Sequence, residues 1–91
     1  MISAKEKKKL RTRGSQLRST VLLGKAGLNP DTISFIGNAF SKTDLVKVKI
    51  QRSFPGERGA VADALAQLEN TEVVQVLGNT ILIYRPLPES E

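Results

Sequence analysis

The sequence predicts an α/β fold, a two-layer sandwich in which helices pack against a four-stranded mixed sheet. Short apolar or alternating segments that suit strands recur between segments whose apolar residues have helical spacing. The last two strand segments are separated only by Gly78 and Asn79, which is typical of a tight hairpin. Strands joined through a helix are expected to pair in parallel, whereas a hairpin is antiparallel, so the sheet should be mixed. The predicted order of elements is α-β-α-β-α-β-β.

The first helix is predicted over residues 4–17. Ser3 and Glu6 have the spacing of a capping box, in which each side chain binds a free backbone amide at the start of the helix. Leu10 and Leu17 lie on one helical stripe and are surrounded by lysine and arginine. This helix should therefore bury little apolar surface and carry a strong positive charge.

The first strand and second helix are predicted from residues 20–41. Residues 20–23 form a short β-branched and apolar run that Gly24 ends. Asn29 suits an N-cap and Pro30 suits the first helical position, so the second helix should start there and continue to about Ser41.

The remaining elements follow from two changes of apolar spacing. Residues 45–50 alternate with period two, which predicts the second strand. Apolar residues three and four apart then predict a third helix over residues 57–69. Residues 73–77 and 80–84 are the two hairpin strands, and Pro86 ends the second of them.

Length and composition limit the classes of protein to which the chain can belong. Its 91 residues suit one domain over residues 1–91, with 86–91 as a short tail. Cysteine and histidine are absent, which excludes disulfides, thiolate zinc sites and histidine acid–base chemistry. The acidic residues are scattered singly, and neither a Walker A motif nor a dinucleotide fingerprint is present. We therefore expect a binding protein with no catalytic residues, no metal site and no cofactor.

The positive charge is concentrated at the start of the chain. Residues 1–25 contain eight basic residues against Glu6 alone, a net charge of +7, whereas residues 26–91 contain six basic and eight acidic residues, a net charge of −2. Such a cluster favours a polyanionic partner, although a run of lysines can also be a solvated helix face. Membrane binding fits poorly because the helix lacks a broad apolar face. No signal peptide or apolar membrane span is evident, so a cytoplasmic protein is expected.

A short glycine-containing loop is the second candidate site. Gly24, Lys25, Ala26 and Gly27 lie between the first strand and the capped second helix. Glycines at both ends allow a ligand to approach the backbone, so that amide groups can face a phosphate and Lys25 can add a charge. KH modules hold RNA with a GXXG loop of this kind. Taken alone, two glycines at this spacing are more often a plain turn, because glycine is common between a strand and a helix.

Four further side chains have two interpretations each. Lys47 and Lys49 either extend an RNA surface or make a sheet face soluble, and the second is favoured. Tyr84 could stack on a base, but packing at the edge of the core is favoured. Phe54 is either an exposed stacking residue or a lid over the core, and the sequence does not decide between them.

Three segments together resemble the CRM domain (chloroplast RNA splicing and ribosome maturation) in its stand-alone bacterial form, the YhbY-like proteins. They are residues 21–28, 45–50 and 74–86, and with the lysine-rich first helix they cover essentially the whole chain. The resemblance implies a fold similar to the C-terminal domain of translation initiation factor 3. This chain differs from the family pattern at Ser19, where proline is usual, at Gly37 within a helix, and in its short acidic tail.

The resemblance also implies RNA binding and identifies site residues. Gly24, Lys25, Ala26 and Gly27 match the family's GxxG loop. The basic N-terminal region of the family corresponds here to Lys5, Lys7, Lys8, Arg11 and Arg18. For the bacterial members, the resemblance points to association with precursors of the large ribosomal subunit. We therefore expect a pre-50S assembly factor that binds 23S-type precursor rRNA. We also expect a monomer that binds no membrane. The alternatives are an RNA-independent protein-interaction adaptor, and an RNA chaperone or splicing-type factor for a non-ribosomal RNA.

Overall fold

The computed structural model describes residues 3–86, so residues 87–91 of the predicted tail lie outside the described part. The elements are α1 (Ala4–Ser15), β1 (Val21–Leu23), α2 (Pro30–Phe40), β2 (Leu45–Ile50), α3 (Arg58–Ala66), β3 (Glu72–Leu77) and β4 (Thr80–Tyr84). The predicted order is confirmed. The third helix is shorter than predicted, because beyond Ala66 the chain makes successive single turns in which Gln67 and Leu68 donate three residues back.

The four strands form one mixed sheet in the order β1-β2-β4-β3. β1 and β2 are parallel, and β4 lies antiparallel to both β2 and β3. The hairpin at Gly78 and Asn79 is confirmed. A bulge between Val73 and Gln75 interrupts the edge strand β3, and the other edge strand, β1, has only three residues.

The main core lies between one face of the sheet and the helices α2 and α3. The sheet forms one main layer, and these two helices form the other. From the helices, Ile36, Phe40, Val61 and Leu65 are buried in it. The strands contribute Val21, Leu23, Val46, Val48, Ile50, Ile81 and Ile83. The cap predicted for α2 is present, since the Asn29 side chain accepts a hydrogen bond from the Thr32 amide at 2.9 Å.

Helix α1 lies across the opposite face of the sheet. Its one buried apolar side chain, Leu10, packs in a small cluster with Leu45, Val74 and Leu82. At the next turn Gly14 approaches Leu82 so closely that a Cβ at position 14 would overlap the leucine methyl groups. Leu17, predicted to continue the stripe, lies beyond the end of the helix and is 38% exposed. The α1 face of the sheet is therefore only partly covered.

Side-chain contacts fix both ends of α1. Ser3 caps its start, accepting a hydrogen bond from the Glu6 amide at 3.1 Å. At its end, the Lys47 ammonium donates to the carbonyl oxygens of Gly14 and Leu17 at 3.0 and 3.3 Å. A cation stabilises the carbonyl groups that a helix leaves unpaired at its C-terminus. The favoured interpretation of Lys47 as a solubilising residue is therefore wrong, because this half-buried side chain holds α1 on the sheet.

Tyr84 and Phe54 both pack against apolar clusters. Tyr84 contacts the small cluster under α1, which confirms the favoured interpretation, and Phe54 lies against the main core as a half-buried lid. The neighbouring Arg85 guanidinium stacks on the Phe40 ring at 4.6 Å and donates two hydrogen bonds to the Thr71 hydroxyl. The Arg85 side chain therefore stabilises the fold through contacts with Phe40 and Thr71. In the part of the chain described, no helix has the length and apolarity to span a membrane.

Candidate nucleic-acid interface

The GxxG loop forms a tight turn directly after β1. The Gly27 amide donates to the Gly24 carbonyl at 3.0 Å, and Gly27 has a positive φ of 74°. Only glycine adopts this conformation readily, so the backbone itself explains the second glycine of the motif. The Thr32 hydroxyl donates to the Gly27 carbonyl at 3.3 Å and connects the turn to α2.

The centre of this turn is exposed and rich in donors. Lys25 and Ala26 are both exposed, and within residues 3–86 neither their amide groups nor the Lys25 ammonium has an acceptor. Two free amides beside an ammonium group can bind one phosphate. The N-terminus of α2 adds little, because Pro30 has no N–H group and Asp31 is negatively charged.

A second loop lies beside the GxxG loop because β1 and β2 are parallel and end at the same edge of the sheet. The Gln51 amide donates to the Leu23 carbonyl at 2.8 Å, and a Cβ on Gly24 would lie 2.7 Å from the Gln51 side-chain oxygen. The next residue, Arg52, is exposed. Its place beside the loop was missed, although parallel pairing of the two strands would have indicated it.

The predicted basic residues of the N-terminal region do not all point the same way. Lys8 and Arg11 line a groove of about 430 Å³ between α1 and the sheet. Lys5, Lys7 and Arg18 do not line it, and Lys7 is half-buried whereas the other two are exposed. None of these five side chains has a hydrogen-bond or ion-pair partner within the described residues. Their charges are therefore available to an external anion.

Arg13, although it belongs to the same basic run, is not available in this way. Its guanidinium binds both oxygens of the Asp44 carboxylate, at 2.7 and 3.3 Å. This hydrogen-bonded pairing lowers the pKa of Asp44 and raises that of Arg13. The pair connects α1 to the loop before β2, so Arg13 serves the fold.

The groove has a floor of uncharged side chains. It is formed by side chains of the two hairpin strands, namely Gln75, Leu77, Thr80 and Leu82. Lys47, whose ammonium group is bound to the end of α1, also lines the groove. The GxxG residues do not line this groove, so the structure brings Lys8 and Arg11 together but leaves the loop as a separate feature at the end of β1. No cluster of three or more acidic side chains suited to a metal ion occurs within residues 3–86.

Comparison with known proteins identifies relatives over almost the full length of the chain. The family model described as the CRS1 / YhbY (CRM) domain matches residues 2–85. "Probable RNA-binding protein YqeI" of Bacillus subtilis is 31% identical over 91 residues, covering 100% of this chain and 95% of the relative. "Probable RNA-binding protein PA4753" of Pseudomonas aeruginosa is 25% identical, covering 97% and 85%. The solution structure of SAV1595 from Staphylococcus aureus is 28% identical, with a TM-score of 0.81 and coverage of 100% and 95%.

Proposed function

Because the chain belongs to the CRS1 / YhbY (CRM) domain family, we propose that it is an RNA-binding protein of the cytoplasm. Its target is ribosomal RNA in precursors of the large ribosomal subunit, to which it binds as a monomer and as one domain. Its role is to bind RNA and not to catalyse a reaction, and turnover of RNA by the purified protein would contradict this.

One observation carries the proposal, namely that the basic groups of two separate elements have no partner within the described residues. Lys8 and Arg11 on α1, and Lys25 in the GxxG loop, face solvent without an ion pair. When RNA binds, its phosphates pair with these unpaired cations, and the counterions bound to the RNA are released. The relatives named as RNA-binding proteins support the same partner.

The two elements have different parts in this proposal. The GxxG loop holds one phosphate group through the Lys25 and Ala26 amides and the Lys25 ammonium. The α1 cations bind further phosphates without sequence selectivity and strengthen the association at low salt. Phosphate contacts of this kind position the protein on the RNA, whereas contacts to the bases determine which sequence is bound.

The proposal is tested by sedimenting a lysate that contains the tagged protein on a sucrose gradient and sequencing the RNA from its peak. We expect migration with pre-large-subunit particles that carry precursor 23S-type rRNA. Lys25→Glu should move the protein toward the top of the gradient, whereas Lys42→Glu, which changes an exposed lysine after α2, should not.

Two results would contradict the proposal in different ways. Comigration that survives complete nuclease digestion would indicate a protein adaptor. Recovery with an intron or a small RNA would retain RNA binding but exclude the ribosomal role.

A further inference from the structure

The part of the sheet that α1 leaves uncovered carries a straight row of four side chains. The strand registers pair Leu22 with Lys49, Lys49 with Thr80, and Thr80 with Leu77, so one residue from each strand lies in line. Leu22, Lys49 and Thr80 point away from the main core, because the strand residues beside them belong to it. Leu77 lies on the same face, because it is paired with Thr80. This row, Leu22-Lys49-Thr80-Leu77, is called the platform row below.

The apolar ends of the platform row are unusually exposed for residues in strands. Leu22 is 57% exposed and Leu77 is 67% exposed. Lys49, between them, is exposed and has no partner within the described residues. A surface that carries apolar, cationic and polar groups side by side offers contacts to the face of a base, to a phosphate and to a base edge.

Helix α1 forms a positively charged wall along this surface. Lys8 and Arg11 line the groove of about 430 Å³ whose floor includes Leu77 and Thr80, and no acidic side chain lines it. The occupant must therefore be anionic and must also present apolar surface. An acidic protein segment meets both requirements only where apolar side chains alternate with its carboxylates. RNA meets both at every nucleotide, because each one joins a phosphate to a flat base.

We propose that the groove and the platform row bind unpaired nucleotides, so that the protein selects single-stranded segments of its RNA. This inference rests on the proposed function and deepens it. In an A-form duplex the base faces are stacked and only the edges are accessible, so Leu22 and Leu77 cannot reach them. In a single strand the bases lie against these leucines while Lys8, Arg11 and Lys49 bind the phosphates.

The same strand can continue from the platform row to the GxxG loop. Leu22 precedes Gly24 by two residues, which corresponds to about 7 Å along an extended strand. Binding at the loop fixes one phosphate, and binding on the row then positions the neighbouring bases. The two features together make a longer footprint than either the loop or α1 alone.

The first test is an NMR titration of the ¹⁵N-labelled full chain with a single-stranded RNA hexamer of mixed sequence. A longer blunt-ended RNA duplex, with its affinity compared per phosphate, is the control. We expect amide shifts at all four residues of the platform row with the hexamer, and weaker binding without those shifts with the duplex.

The second test uses two adjacent residues of β3 as a matched pair. Leu77 lies on the platform row, whereas Val76, which is 46% exposed, points to the other face of the sheet. Leu77→Ser should weaken hexamer binding about fivefold, because it removes apolar surface that a base would cover. Val76→Ser should leave the affinity unchanged. The spectra of both variants show directly whether the fold is retained.

The outcomes separate this inference from the proposed function. If the hexamer binds but shifts only Gly24–Gly27 and α1, or if Leu77→Ser and Val76→Ser have equal effects, the platform proposal is wrong and RNA binding stands. Equal affinity per phosphate for the duplex and the hexamer would also overturn it. If no RNA binds, including precursor rRNA, both proposals are wrong.

Discussion

The two faces of the sheet differ in how completely they are covered. On one face, α2 and α3 close a core in which Ile36 and Leu65 have no exposed surface. On the other, α1 covers one part of the sheet through a single leucine, and the platform row is left open. The closed face therefore provides most of the buried core, and the proposed RNA contacts lie on the opposite side of the same four strands. Changes on the closed face should therefore affect folding most, changes under α1 should affect folding locally, and changes in the platform row should affect RNA binding.

The largest expected effect is loss of stability from Leu65→Ala on the closed face. Leu65 is fully buried, and alanine suits a helix, so the change isolates the packing loss. We expect the free energy of unfolding to fall by about 3 kcal/mol, measured by urea denaturation. A loss no larger than that caused by a surface change such as Ala66→Ser would contradict the assignment of the main core.

A smaller and more local effect is expected from Leu10→Ala on the open face. Only one helix packs on the small cluster under α1. Removing the Leu10 side chain should therefore lower the free energy of unfolding by about 2 kcal/mol, which is at the low end for a buried leucine. Hydrogen exchange should show that α1 loses protection while α2 and α3 keep theirs. Uniform loss of protection in all three helices would show that the two faces are not separable.

The third prediction concerns the salt dependence of RNA binding. Replacing Lys8 and Arg11 together by glutamine should reduce the slope of log K against log salt by about 1.4 for single-stranded RNA, at about 0.7 per phosphate contact. Lys42→Gln is the control, because Lys42 follows α2 and does not line the groove. Equal slopes for the double variant and the original protein would mean that these α1 cations are only solvated.

The smallest effect is expected at the pair formed by Arg13 and Asp44. Because the folded protein lowers the pKa of Asp44, the pair's contribution is present above the ordinary aspartate pKa of about 3.9 and is lost as the pH falls through the lower folded value. Arg13 is half exposed, so Asp44→Asn should cost only about 0.5 kcal/mol at neutral pH. The difference from the original protein should disappear in acid.

The control for this pair is Asp63→Asn, which changes an exposed aspartate that has no partner within the described residues. Urea denaturation at neutral pH and at about pH 2 compares the variants. A difference that persists unchanged in acid would exclude the carboxylate charge as its origin.

Local patterns in the sequence predicted the elements well, because their signals act over a few residues. Ser3 and Asn29 mark the starts of α1 and α2 through caps that span three residues. The alternation at residues 45–50 gave β2 with its observed limits. In contrast, the third helix was predicted too long, because Leu68 packs against the core from a turn that follows Ala66.

Contacts between distant residues were not predictable in the same way. Lys47 binds carbonyl groups about 30 residues away, and Arg13 pairs with Asp44 across 31 positions. The platform row appears only when the register of all four strands is known. The GxxG loop remains a prediction as an RNA site, although its turn geometry and its free amides agree with that role.

The edges of the sheet have a consequence for how the protein behaves when many copies lie close together. A long, flat edge strand can pair with the edge of a second molecule and start aggregation. Here β1 offers only three residues, and the bulge between Val73 and Gln75 bends β3 out of a regular hydrogen-bonding pattern. Neighbouring copies bound close together on one polyanion should therefore stay separate. The exposed leucines of the open face should not lead to pairing between the strands of different molecules.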